Sequence, residues 1–256
     1  MNAVMKNFKK FYLSFALLTL FMGAWEAYCR IGGISKTVLP RPSDIFHAIV
    51  VNREILFIHA GQTLTEAMIG LFLAVIFGVS AAIILFNSSR MRVGLYPLLV
   101  LSQTIPIVAL APLLLIWFGF GISPKVIIVV LYCFFPITIA VADALRTTDE
   151  NLVDLLKSMH ASPLQIMRFI RLPATLPAFF SGVKIATTYS IAAAIVGEFV
   201  GAYRGLGVYI VTSANSHAID LVFAALFVTA FMTMFLLLSV SVAERVFTPW
   251  HHAYEK

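Results

Sequence analysis

The stretch DLLKSMHASPLQIMRFIRLP, Asp154 to Pro173, is polar and contains two prolines, although it belongs to a chain that is 61% hydrophobic. Charged residues make up 12% of the 256 residues, against about 25% in soluble domains. The charges are also clustered between long uncharged runs. This composition predicts an integral membrane protein and excludes a soluble domain. The quoted stretch is therefore predicted to lie outside the lipid, at one face of the membrane.

Six runs have the length of about 20 mostly apolar residues that a membrane-spanning helix needs. Lipid leaves backbone groups no other partner, and the runs are too long for barrel strands of about 10 residues. The fold class is thus predicted to be an all-α integral membrane protein with six transmembrane helices. These lie near Phe11–Arg30, Thr63–Asn87, Leu95–Phe118, Lys125–Leu145, Pro177–Gly201 and Leu221–Ala243. The first lacks a small-x-small cleavage site, so an uncleaved helix is expected rather than a secretory signal.

The basic residues between the spans predict the orientation of the chain. With the N-terminus inside, the inside segments hold Lys6, Lys9, Lys10, Arg90, Arg92, Arg146, Lys157, Arg168, Arg171, Arg245 and Lys256. The outside segments hold Arg30, Lys36, Arg41, Arg53, Lys125 and Arg204. Basic residues favour the cytoplasmic side, so both termini and the opening stretch are predicted to be cytoplasmic. The net charge of +6 then reflects basic loops, and the expected partner is membrane lipid rather than nucleic acid.

Two helices around a sharp turn are predicted within the opening stretch. Apolar residues from Leu152 to Met159 recur at helical spacing. Ser162 then suits an N-cap, Pro163 the first helical position, and Gln165 the third, which together form a capping box. The second helix is expected to end at Leu172, because proline disfavours helical conformation in the residue before it.

The arginines of the second helix leave two interpretations open. Arg168 and Arg171 could hold the helix on lipid headgroups at the membrane surface. Alternatively, the two helices form a docking element for a cytosolic partner. We favour docking, because a capped turn is more structure than lipid anchoring needs. His160 has no metal-binding or catalytic partner in the sequence, so neither role is expected for it.

The remaining loops and spans supply further candidates. Residues 39–50, LPRPSDIFHAIV, predict an extended segment followed by a short amphipathic helix capped by Ser43. Pro106 and Pro112 predict a kinked helix, which either lines a pathway or is simply bent. Glu198 is an ionisable group near the outer end of the fifth span, where it lines the pathway, reaches the outer interface or pairs with Arg204. The candidate pathway residues are Ser102, Gln103, Thr104, Pro106, Tyr189, Ser190 and Glu198.

No enzyme signature is present in the sequence. It has no His-Glu-x-x-His, no Gly-x-Ser-x-Gly and no Walker A motif. The chain is therefore not expected to be an enzyme, and no catalytic residue, metal or cofactor is predicted on it. If ATP drives this protein, another chain must bind the nucleotide. Two classes of protein remain open at this point: a self-contained secondary transporter, which would show paired broken helices, and a membrane-embedded enzyme.

The opening stretch resembles the cytoplasmic signature of permease subunits of bacterial ATP-binding-cassette (ABC) importers. This signature consists of EAA, any three residues, a glycine, any nine residues and then I-x-LP. Asp154-Leu155-Leu156 occupies the EAA place and His160 the glycine place, while Ile170, Leu172 and Pro173 match I-x-LP at the same spacing. Glycine at that place suggests a positive backbone angle. Either His160 adopts this angle with some strain, or the turn differs here.

Other fragments resemble, in order, the branch of these permeases that imports nitrate, taurine, alkanesulfonates and thiamine-related pyrimidines. They are LPRPSDIF, SQTIPIVALAPLLLIWFGFG followed by SPK, SGVKIATTYSIAAAIVGEFVGAYRGLGVYI and RVFTPWHH. The resemblance implies a type I, MetI-like permease fold. Residues 1–62 would form an N-terminal helix and external segment, and residues 63–256 the permease core with a coupling loop at 146–176. The implied ATPase-coupling residues are Asp154, Leu155, Leu156, His160, Ala161, Ser162, Pro163, Leu164, Gln165 and Arg168.

The resemblance also implies the other subunits of the transporter. A second permease copy would complete the pathway, as a homodimer in preference to a heterodimer. Two ATPase subunits would bind ATP and magnesium, and a periplasmic or lipid-anchored binding protein would deliver the cargo. The chain is expected in the bacterial inner membrane. The sequence leaves the cargo open, in the order pyrimidine precursor, then sulfonate or taurine, then nitrate.

Overall fold

The structure is a computed structural model that describes residues 2–102 and 104–250, and in this part of the chain all regular secondary structure is helical. The all-α prediction is confirmed. The helices are α1 (Asn2–Ile31), α2 (Pro42–Val51), α3 (Arg53–Asn87), α4 (Ser89–Ser102), α5 (Ile107–Phe118), α6 (Ser123–Arg146), α7 (Glu150–Ser158), α8 (Pro163–Ile166), a π-helical segment (Met167–Arg171), α9 (Leu172–Glu198), α10 (Leu206–Asn215) and α11 (Ile219–Phe247).

Four helical stretches of the described residues are long and apolar enough to cross a membrane. They are Arg53–Asn87, Ser123–Arg146, Pro163–Glu198 and Ile219–Phe247. These stretches correspond to the second, fourth, fifth and sixth predicted spans, and α1 covers the first. Helix α3 begins ten residues before the predicted start of its span, since no glycine or proline breaks the helix between Arg53 and Gly61.

The third predicted span is two helices rather than one kinked helix. Helix α4 ends at Ser102 and α5 begins at Ile107. Pro106 stands before α5 in an extended conformation, with φ −68° and ψ 103°. Its ring nitrogen has no proton to donate, so it cannot continue the hydrogen bonding of α4. Thr104 closes a turn after α4, with its amide 3.0 Å from the carbonyl oxygen of Leu101.

The short helix after the capped turn does not end at Leu172, which corrects the prediction. Helix α8 continues through the π-helical segment into α9, so the helix is unbroken from Pro163 to Glu198. The amide of Leu172 bonds to the carbonyl of Met167, one residue further back than in an α-helix. Pro173 is the second residue after the π-helical segment, at a position where its nitrogen has no proton to donate to the preceding turn. The wider turn thus lets the helix pass the proline.

The chain divides into two compact units. One contains the residues up to His59 together with Tyr209–Val228. Here α2 begins at Pro42, with Arg41 as its N-cap, so the predicted Ser43 cap is wrong. The hydroxyl of Ser43 instead donates to the Glu26 carboxylate at 2.9 Å, because proline at the first helical position moves the start of the helix two residues earlier than expected.

The other unit contains Ala60–Val208 and the residues from Thr229 onward. Helix α6 packs along α9 within it. This packing requires a glycine, since a Cβ at Gly182 would lie 2.9 Å from Cβ of Ala140 and 3.0 Å from the carbonyl oxygen of Pro136. The domain boundary expected between residues 62 and 63 stays a prediction.

Candidate functional site

The first helix of the opening stretch ends in a Schellman motif at His160. This residue has φ 60°, the left-handed conformation that glycine adopts most easily. The amide of His160 donates to the carbonyl of Lys157 at 2.9 Å, and that of Ala161 to the carbonyl of Leu156 at 3.0 Å. Of the two alternatives left open by the sequence, His160 therefore adopts the positive angle. The turn has the form that a glycine would give.

The second helix begins with the predicted capping box. The Ser162 amide donates to Oε1 of Gln165 at 2.7 Å, and the Gln165 amide donates to Oγ of Ser162 at 3.3 Å. Pro163 occupies the first helical position. The capping box is confirmed. With the Schellman motif on one side and the capping box on the other, both ends of the turn have their backbone groups satisfied.

Residues 150–171, which we call the hook, expose apolar side chains beside this fixed turn. Leu164 is 76% exposed and Met159 is 68% exposed. Two apolar side chains of the hook, Val153 and Ile166, are buried instead. The predicted coupling residues all lie in the hook, with Leu156 and Ala161 half-buried and the others exposed: Asp154, Leu155, His160, Ser162, Pro163, Leu164, Gln165 and Arg168.

The two arginines of the hook have different surroundings. Arg168 is exposed, with its guanidinium carbon 5.9 Å from the centre of the neighbouring Phe169 ring. The guanidinium of Arg171 lies over the ring of Phe86 in α3, 4.4 Å from its centre. A guanidinium over an aromatic face is attracted by the ring electrons. Arg171 therefore fastens the hook to α3, while Arg168 is free to face a surface.

Three of the predicted pathway residues line one cavity of about 370 Å³. Thr104 and Pro106 reach it from the break between α4 and α5, and Tyr189 from α9. Ser190 does not join them, because it is fully buried and its hydroxyl donates to the carbonyl of Thr187 at 2.8 Å. Gln103 and the side chain of Ser102 lie outside the described residues.

Glu198 lies apart from this cavity, in a buried polar network at the end of α9. It is 1% exposed. Thr63 donates its hydroxyl proton to Oε1 of Glu198 at 2.6 Å, and the amide of Gly207 donates to Oε2 at 2.5 Å. The amide of Leu206 in turn donates to Oγ1 of Thr63 at 2.9 Å. The carboxylate thus joins α3 and α9 to the start of α10. Its place in the pathway stays a prediction.

A second buried carboxylate extends this network. Glu66 is fully buried in α3 and interacts electrostatically with Glu198. Its Oε1 accepts a hydrogen bond of 2.8 Å from Nε2 of Gln62 and lies 3.4 Å from Nζ of Lys125, at the start of α6. The Lys125 side chain is 8% exposed. Glu66 is therefore paired with a buried ammonium group, which offsets part of the cost of burying this carboxylate.

The loop that contacts Glu198 has room only for glycine at position 205. Gly205 has φ 132°, and a Cβ there would lie 2.1 Å from the Glu198 carboxyl carbon. The close approach of this backbone is what brings the Gly207 amide within reach of the carboxylate. The segment GAYRGLGVYI is thus a turn that leads directly into the short helix α10.

Sequence reasoning missed several of these residues. Lys125 entered the orientation argument as an outer loop charge, yet it is buried beside Glu66. For Lys125 and Glu66, the available signal in the sequence was that each is a charge at the edge of an otherwise uncharged run. Lys184 of α9 forms an ion pair with Glu244 of α11, a contact that the sequence did not indicate. Tyr132 and Phe135, which line the cavity, carried no signal beyond their aromatic character.

Comparison with known proteins identifies the family of this chain. Residues 74–251 match the model of the binding-protein-dependent transport system inner membrane component. A probable ABC transporter permease protein of Haemophilus influenzae is 39% identical over 84% of this chain and 88% of its own length. The formylaminopyrimidine transport permease protein ThiX of Halalkalibacterium halodurans is 34% identical over 90% of this chain and 92% of its own length.

The same fold occurs among solved structures. A structure of inward-facing conformations of the MetNI methionine ABC transporter contains a chain that superposes with a TM-score of 0.54 at 20% identity. The match covers 73% of this chain and 97% of that one. This chain belongs to the family of binding-protein-dependent transport system inner membrane components. It is a multi-pass inner-membrane permease of an ABC importer, so the predicted family, fold class and function are confirmed.

Proposed function

We propose that two copies of this permease form a translocation pathway and that two separate ATPase subunits drive it by docking on the hook. A binding protein delivers the cargo from outside. Both termini and the hook lie in the cytoplasm, as the distribution of basic residues favours. The permease alternates access between the two sides of the membrane and performs no covalent chemistry. ATP and magnesium bind to the ATPase subunits.

The exposed apolar side chains of the hook carry this proposal. Leu155, Met159 and Leu164 are each more than half exposed, although they flank a turn whose backbone is fixed by two capping motifs. Contiguous apolar surface on a rigid, protruding element is typical of a site for another protein. A cleft on an ATPase that receives these side chains would remove them from water.

The unbroken helix from Pro163 to Glu198 supports the coupling role. A partner that moves the hook also moves the start of this helix, which continues across the membrane as α9. Rigid-body motion of a docked element is one of the known routes by which proteins couple distant sites. The contact of Arg171 with Phe86 would carry the same motion to α3.

For the cargo we propose a small heteroaromatic solute of the pyrimidine type. The relative at 34% identity, which aligns with 90% of this chain, is described as a formylaminopyrimidine permease. Sulfonates, taurine and nitrate are the competing cargoes.

The experiment is purification of the permease from native membranes in mild detergent, with mass spectrometry of the proteins that remain bound. We expect an ATPase with a Walker A sequence to co-purify. Leu164→Asp, which places a charge on the docking surface, should abolish its retention. Met91→Asp is the matched control, because Met91 is also an exposed apolar residue, 42% exposed, but lies outside the hook.

Two results would contradict the proposal. Absence of an ATPase from the wild-type preparation in several detergents would favour a self-contained transporter. Equal retention of the ATPase by Leu164→Asp and by the wild type would show that the hook is not the docking site, and would favour a helix that lies on lipid.

A further inference from the structure

The lengths of the helices around the cavity between the α4–α5 break, α6 and α9 indicate a position close to the middle of the membrane. Tyr132 is nine residues from the start of α6 at Ser123, and Tyr189 is nine residues from the end of α9 at Glu198. At 1.5 Å per residue, Tyr132 is roughly 14 Å from the start of α6 and Tyr189 is roughly 14 Å from the end of α9. This is about half of the 30 Å thickness of the hydrocarbon core.

A break in a helix at this depth needs a reason. Non-helical backbone is tolerated inside a membrane only where it is buried in protein or lines a watery cavity. Thr104 and Pro106 stand in the break and line the cavity. The interrupted span is therefore part of a solute-accessible space, and its volume of about 370 Å³ falls within the roughly 300–1,000 Å³ of small-molecule sites.

The lining of the cavity is aromatic and uncharged. Tyr132, Phe135 and Tyr189 contribute rings, and Pro106 and Pro136 contribute flat apolar faces. None of the described residues that line it is Lys, Arg, His, Asp or Glu. An anion held there would lose its hydration without gaining a charged partner, which is strongly unfavourable.

The backbone of α6 lacks one regular hydrogen bond beside the cavity. Pro136 lies within α6, four residues after Tyr132. Because proline has no amide proton, the carbonyl of Tyr132 lacks its regular helical donor. Both residues line the cavity. This carbonyl and the tyrosine hydroxyls suit the amino and ring-nitrogen groups at the edge of a planar heterocycle.

We propose that this cavity is a site for an uncharged, planar, amino-bearing ring, held between the Tyr132 and Tyr189 side chains, and that it disfavours anionic or zwitterionic cargo. The proposal rests on the transport function proposed above and names the chemical class that the permease itself accepts. It places part of the selectivity in this chain rather than in the binding protein alone.

The test uses the detergent-purified complex of permease and ATPase, without binding protein and with excess magnesium ADP to fill the nucleotide sites. Saturation-transfer NMR detects binding of 4-amino-2-methylpyrimidine or of taurine as the probe. We expect saturation of the pyrimidine protons and none of taurine. Tyr132→Ala and Tyr189→Ala should each weaken the pyrimidine affinity about tenfold, the effect of losing one stacked ring.

Two controls separate ring stacking from misfolding. Tyr189→Phe keeps the ring and loses only the hydroxyl, so it should bind the pyrimidine more tightly than Tyr189→Ala does. Tyr203→Ala removes an exposed tyrosine, 82% exposed and outside the cavity lining, and should have no effect. The proposal is overturned if taurine is saturated as strongly as the pyrimidine, if neither probe binds, or if both alanine variants bind the pyrimidine like the wild type. Retention of the ATPase in the same samples reports separately on the transport function.

Discussion

The hydroxyl of Thr63 in α3 donates a 2.6 Å hydrogen bond to the carboxylate of Glu198 in α9, joining residues 135 positions apart. Both side chains are buried, and the same two residues receive the amides of Leu206 and Gly207. An acidic group at the end of one span thus fixes both a second span and the loop that follows. Burial without these donors would cost several kcal/mol, so the loop and the carboxylate depend on each other.

Gly205→Ala should destabilise the permease strongly. The new Cβ would collide with the Glu198 carboxyl group, and alanine rarely adopts a φ of 132°. Strain of this kind costs about 1–3 kcal/mol, and loss of the Gly207 hydrogen bond adds to it. Thermal unfolding of the purified permease in detergent measures the effect. The matched control is Gly61→Ala, at a helical position with open space around it, which should unfold no earlier than the wild type. Equal unfolding temperatures for the two variants would contradict the account of the loop.

Lys125→Met should lower the stability of the permease far more than the loss of a surface charge would. It leaves the buried Glu66 without its cation, and an uncompensated buried charge costs about 3–5 kcal/mol. The double variant Lys125→Met, Glu66→Gln removes both charges and should recover most of the stability. A double-mutant cycle of unfolding free energies in detergent gives the coupling energy. Simple additivity of Lys125→Met and Glu66→Gln would mean that the two groups do not interact.

His160→Gly should preserve coupling and raise the unfolding temperature slightly. Histidine at φ 60° carries a strain of roughly 1–2 kcal/mol that glycine does not have. His160→Val should instead disturb the turn, because a β-branched residue disfavours this conformation more. Binding-protein-stimulated ATP hydrolysis in proteoliposomes is the measure. The role of the turn is refuted if the valine variant is stimulated like the wild type.

The orientation is tested by cysteine labelling in whole cells. Cys29 and Cys133 are buried, so a new exposed cysteine dominates the reaction with a membrane-impermeant maleimide. Lys36→Cys should react in intact cells, and Ser162→Cys only after the cells are made permeable. Both replaced residues are exposed in the structure, so burial does not explain a difference. The reverse pattern would place the hook outside.

The parts of the fold that depend on local sequence were predictable. The capping box at Ser162 and the turn at His160 are set by residues within a few positions of each other. Whether a helix breaks or continues at a proline was harder to predict. Pro106 interrupts a span that was expected to bend, whereas Pro173 was expected to stop a helix that continues through a π-helical turn. The same residue type ends or tolerates a helix according to the hydrogen bonds available around it.

The buried network could not be predicted from one sequence. Glu66, Lys125 and Glu198 are separated by more than fifty residues each, and nothing in local spacing shows that α3, α6 and α9 bring these side chains together. For the same reason Tyr132 was not recognised beside Tyr189. Pairing between distant spans depends on how helices pack, and small residues such as Gly182 permit that packing without specifying the partner.

The most direct test of the central claim is a photochemical cross-link from the hook. Leu164→Cys is labelled with benzophenone maleimide in inside-out native membranes, irradiated, and analysed by mass spectrometry. The account predicts a cross-link from Leu164→Cys to a subunit that carries a Walker A sequence. It predicts no cross-link from Met91→Cys to that subunit. Cross-linking of Leu164→Cys to lipid alone, while transport continues, would show that the hook lies on the membrane surface and that coupling to ATP uses another part of the chain.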